Sequence, residues 1–130
     1  MRRILTIALG LALGANGAWM LVAPVSWYLR IPGVANTGPA NLHFIRDIGC
    51  AYLVAGLTVI WLGQASRQAW PAALASGTFL GLHALVHLYD FFIGHESARE
   101  LMSDLPTIFL PAILVTWLAW HGRREAQMEK

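Results

Sequence analysis

Four runs of mainly apolar residues dominate the chain, extending from about Ile4 to Ala23, Leu42 to Leu62, Pro71 to Ile93 and Leu105 to Trp120. Each approaches the roughly 20 residues that a helix needs to cross the hydrocarbon layer of a bilayer. Between them lie polar, proline-containing and glycine-containing stretches that break helices and set turns. The third run is interrupted by His83, His87 and Asp90, whose i, i+4, i+7 spacing places them on one helical face. The predicted fold is all-α: a single integral membrane domain over residues 1–130, built as a four-transmembrane-helix bundle.

Composition supports a membrane setting. The chain is 57% hydrophobic and 12% charged, whereas about a quarter of residues are charged in an average soluble domain. Basic residues then set the expected orientation. Arg2, Arg3, Arg67, Arg123, Arg124 and Lys130 fall on one side and Arg30 and Arg99 on the other, so both termini are expected to be cytoplasmic. The start also has the outline of a secretory signal, with Arg2 and Arg3 before an apolar stretch and small residues at Ala15 to Ala18. Apolar sequence continues through Val22, which favours a retained first span. A cell membrane, of bacterial inner-membrane type, is the expected location and the lipid bilayer the first partner. A net charge of +2 without basic–aromatic clusters speaks against nucleic acid. Cys50 stands alone, which excludes an intrachain disulfide and a cysteine-pair zinc site.

Depth arithmetic groups the polar residues. At 1.5 Å per residue, Asp90, His87 and His83 lie about 5, 9 and 15 Å inside the outer end of span three. His43 lies at the rim of span two, Arg46 and Asp47 about one turn inside, and Asn16 about a dozen ångströms below the end of span one. These seven residues are expected to form a buried polar cluster in the outer half of the bundle, because an isolated charge in hydrocarbon costs at least about 2.5 kcal/mol. Three readings follow. The cluster can be structural, with its members pairing with one another. It can bind a divalent metal through His83, His87 and Asp90, with His43 or Asp47 completing the set. It can handle protons or a quinone, the aromatic rings of Tyr52, Tyr89, Phe91 and Phe92 flanking a flat ligand. His95 reads as a solvated loop residue and His121 as a helix-end cation. Glu96, Arg99 and Glu100 suit a short exposed turn, with Asp104 as a cap for span four.

Span two carries a further pattern. Arg46 opens it, and Gly49, Tyr52, Leu53, Gly56 and Leu57 follow in a Gly-x-x-Tyr-Leu-x-x-Gly-Leu run. In this run and in its layout the chain resembles the small four-helix membrane proteins loosely called DoxX-like. The resemblance implies a four-helix bundle and, for some members, a membrane subunit associated with thiosulfate:quinone oxidoreduction. It assigns no role to His83, His87 or Asp90. The expected function is therefore an accessory or subunit-type membrane protein within a larger membrane complex. A redox protein using a metal or quinone, and a proton or small-solute conduit, are the alternatives.

Overall fold

The computed structural model describes Met1 to Met128. The chain is 88% helical, and no strand occurs among the described residues. The helices are α1 (Arg2–Val22), α2 (Pro24–Arg30), α3 (Leu42–Gln64), α4 (Ser66–Phe92), α5 (Ala98–Asp104) and α6 (Leu110–Met128). A 3₁₀ turn, Val34–Thr37, follows α2, and a π turn, Leu105–Phe109, joins α5 to α6. Four stretches, Arg2–Val22, Leu42–Gln64, Ser66–Phe92 and Ala98–Met128, are long and apolar enough to cross a membrane.

Proline and glycine set the breaks. Ala23 leaves the helical region (φ −136°, ψ 60°) and Pro24 opens α2 from its first position, where its missing N–H costs nothing. α4 begins at Ser66, ahead of the Pro71 start expected from sequence. The hydrogen bond that Pro71 forfeits is to Arg67, an exposed first-turn residue, so the loss stays local. The fourth stretch begins at Ala98, before the expected Leu105. Its π turn sends the Leu110 N–H back to the Leu105 carbonyl, immediately ahead of Pro111, which has no N–H to give.

The chain divides into two compact units, Met1–Ile60 and a second from Trp61 onward. In the first unit α1 and α3 run antiparallel and meet through glycines. A Cβ on Gly17 would lie 2.6 Å from the Gly49 carbonyl, and one on Gly10 would lie 2.7 Å from the Gly56 carbonyl. Both helices carry the pair seven residues apart, two turns, so the same face returns at each contact. Close backbone approach of this kind suits hydrocarbon, where packing replaces the hydrophobic drive between helices. Leu13 and Met20 on α1 and Ala55 and Val59 on α3 are buried.

In the second unit α4 and α6 pack in the same manner. Ala69, Ala73, Ser76, Gly77, Leu80 and Ala84 form the buried face of α4, and Ala112, Val115, Leu118, Ala119 and Gly122 that of α6. Gly77 admits Thr116, whose hydroxyl would lie 2.7 Å from an added Cβ. At the far end of this pair the Ser66 hydroxyl donates to Glu125 at 2.6 Å.

Candidate functional site

The main convergence of titratable side chains is in the second unit, where α4 ends. Gly94, with φ 78°, takes the left-handed conformation that L side chains avoid. It thereby closes α4 with a Schellman turn: the His95 N–H bonds the Asp90 carbonyl at 2.8 Å, and the Gly94 N–H bonds the Phe91 carbonyl at 3.1 Å. The Glu96 N–H reaches the same Asp90 carbonyl at 3.2 Å, which fixes Glu96 against the last turns of α4. Ser97 then starts α5 with a capping box. Its hydroxyl oxygen accepts from the Glu100 N–H at 3.3 Å while its own N–H donates to the Glu100 carboxylate at 2.9 Å. Two turns later α5 delivers Asp104.

These devices bring two carboxylates to one imidazole. His87 Nδ1 lies 2.8 Å from Asp104 Oδ2 and 3.6 Å from Glu96 Oε1. One ligand-type atom from each of His87, Glu96 and Asp104 falls within 4.8 Å of the others. All three residues are partly buried, with side-chain exposures of 27%, 11% and 16%. Glu96 Oε2 is fully buried and receives no hydrogen bond. Burial pushes the Glu96 carboxyl above its ordinary value, and the neighbouring Asp104 pushes in the same direction against a smaller opposing pull from His87. Two carboxylates facing one imidazole leave an excess of negative charge that a proton or a cation can neutralise.

His83 stands one turn deeper on α4. Its ring meets His87 edge to face with centroids 4.9 Å apart and lies parallel to Phe79 at 6.4 Å. Asp90 contributes to the site through its backbone carbonyl, and its carboxylate is outside the three-residue group.

The other sequence-predicted residues lie in the first unit. Asn16 accepts from the Trp27 indole N–H at 2.9 Å and so ties α2 to α1. Arg46 Nε donates to the Leu21 carbonyl at 3.4 Å. His43 and Asp47 pair one turn apart at 3.5 Å. The expected burial of these last three is corrected here: Arg46 is exposed, and the His43 and Asp47 side chains are 89% and 57% exposed. The reason is register. α3 buries Ile45, Gly49, Tyr52, Gly56 and Val59, and positions 43, 46 and 47 fall off that face. His95 is exposed, and His121 packs its ring edge to face on Trp117 at 4.6 Å.

Glu96 and Asp104 were not among the candidate residues read from sequence. Asp104 is the last residue of α5: it precedes the π turn in helical conformation and its side chain makes no cap hydrogen bond there, and the capping box that opens this stretch belongs to Ser97. The Ser97-x-x-Glu100 spacing is the signal that locates this start, and with it the turn that aims Asp104 back at α4. No protein-family model, curated protein or solved structure matches the chain.

Proposed function

We propose that this chain is a small multi-pass membrane protein of the accessory or subunit type, with both termini cytoplasmic and the His87–Glu96–Asp104 cluster near the outer face. One observation carries the reading. Among the described residues, a chain rich in helices apolar enough to span a membrane brings one imidazole and two carboxylates together at the end of α4, where they are held by backbone turns and caps. The distribution of arginines supports the orientation, and the resemblance of the second span to DoxX-like proteins supports the subunit role. A bacterial inner membrane is the proposed host.

The test is purification of a tagged chain from its native membrane in mild detergent after brief chemical crosslinking. A larger partner recovered at a fixed ratio is the expected result. Recovery of this chain alone, as one monodisperse species from crosslinked membranes, would overturn the subunit role.

One contact favours a second reading. The edge-to-face pair of His83 and His87 extends the acidic cluster one turn further into α4, which is the arrangement of a proton pathway. Pyranine-loaded liposomes test it. A proton leak that disappears in His83→Phe while the protein still inserts would support a conduit, and identical leak in both proteins would remove it.

A further inference from the structure

From the geometry at the end of α4 we infer that His87 Nδ1, Glu96 and Asp104 form a binding site for one first-row divalent transition-metal ion. The inference goes beyond the subunit reading, and it holds whether or not the chain has a protein partner.

Distance is the first argument. A metal with ligands at about 2.0–2.2 Å sets neighbouring donor atoms roughly 3–3.5 Å apart in tetrahedral or octahedral geometry. The separations from Nδ1, 2.8 Å to Asp104 and 3.6 Å to Glu96, bracket that range. The three donor atoms all lie within 4.8 Å of one another, close enough to converge on one ion.

The second argument is the state of Glu96. Its side chain is about nine-tenths enclosed, and its Oε2 is fully buried without a hydrogen-bond donor. A buried carboxylate oxygen without a donor forfeits about 1–3 kcal/mol, more when charged. A cation at the centre of the group supplies the missing electrostatic partner. A dication also balances the two carboxylates with the imidazole neutral, whereas a protonated imidazole balances only one.

Preorganisation is the third. Three backbone devices fix the ligands independently of any ion: the interior of α4 for His87, the Gly94 turn for Glu96 and the capped α5 for Asp104. The His83 ring against His87 restrains the imidazole plane. One nitrogen and two carboxylate donors suit zinc or manganese; an imidazole ligand argues against magnesium and calcium, which prefer all-oxygen sets. Three protein ligands leave room for water or a small external ligand.

The experiment uses the full-length chain in detergent, stripped with a chelator and titrated with Zn²⁺ by calorimetry, with bound metal counted by mass spectrometry. One ion per chain is expected. Asp104→Asn and Glu96→Gln should each weaken binding by more than the roughly 10–100-fold typical of an outer-shell partner, while His43→Ala, which removes the exposed pair with Asp47, should leave it unchanged. Stoichiometric binding that survives both carboxamide substitutions, or that follows His43, would overturn the site. If the carboxamide variants fail to fold, the wild type still decides: loading with Co²⁺ should give the visible bands of a nitrogen- and oxygen-ligated ion. Absence of those bands together with absence of bound Zn²⁺ would overturn the inference.

Discussion

At the scale of single residues, Glu96 is the most consequential side chain in the second unit. Its carboxyl is held above its ordinary value by burial first and by the adjacent Asp104 second, with His87 facing it from α4. In chelator-stripped protein the consequence for stability has a definite sign. A carboxyl raised in the folded state binds more protons folded than unfolded, so its contribution is fully present below the unfolded value. That contribution is lost as pH rises through the folded value. Thermal unfolding in detergent should therefore show a midpoint that falls with rising pH across the range just above ordinary carboxylate titration. Glu96→Gln, which keeps a neutral side chain at every pH, should flatten the slope; an unchanged slope would show that another group sets it. Much of this was hidden in the sequence. Glu96 and Glu100, four residues apart, read as one face of an exposed helical turn. In the fold they part company: Glu100 closes the capping box, and Glu96, one residue before the cap, folds against α4.

At the scale of elements, the apolar runs located the four helices that are long and apolar enough to cross a membrane, because that property depends on length and hydropathy alone. Their ends were less legible. Pro71 and Leu105, the expected starts of the third and fourth runs, each lie within a continuous helical stretch, Ser66–Phe92 and Ala98–Met128 respectively. The π turn before Pro111 has no sequence pattern of its own, since it is a backbone solution to a missing donor. Glycine spacing alone does not identify the contacts. Four-residue spacing pairs Gly10 with Gly14 and Gly77 with Gly81, but a Cβ added at Gly14 or Gly81 would meet nothing within 4 Å. The backbone contacts use Gly10 and Gly17 on α1 against Gly56 and Gly49 on α3, and Gly77 on α4. Paired substitutions make the distinction measurable. Gly17→Ala should cost at least about 1–3 kcal/mol, because its new methyl would press on backbone atoms of Gly49 and Leu53 that cannot rotate away. Gly14→Ala should be neutral or stabilising by up to about 1 kcal/mol from helix propensity. Unfolding in mixed micelles reads both. Equal effects at the two positions would contradict the packing of α1 on α3. On α5, Ser97→Ala removes the cap and should cost about 1 kcal/mol. It should also loosen Asp104 from His87, which the imidazole resonances of His87 would report as a change in chemical shift at fixed pH.

At the scale of the whole molecule, the arginines and the aromatic residues argue together for orientation. Arg123 lies over Trp120 at 4.9 Å and over Trp70 at 5.8 Å, and Arg124 lies over Trp120 at 5.9 Å. Cation–π contacts of this kind hold guanidinium groups beside the rings that favour a membrane interface. With Arg2, Arg3 and Arg67 they place the positive excess at the ends of the spans proposed to be cytoplasmic. In the proposed topology the outer ends would be the α2 turn of the first unit, with its Trp27 and Tyr28, and the His87–Glu96–Asp104 cluster of the second. Single-cysteine labelling tests this directly, because Cys50 is the only native thiol. In a Cys50→Ser background, Ala35→Cys in the loop after α2 should react with a membrane-impermeant maleimide in intact cells. Gln64→Cys, at the break between α3 and α4, should react only after lysis. The reverse pattern would invert the protein and turn the cluster toward the cytoplasm. The outcome bears on the proposed metal site, because an outward-facing cluster meets the ions of the external medium while an inward-facing one must compete with the buffered pool of the cell. The same ligands would then serve different chemistry, and orientation is the property that decides between them.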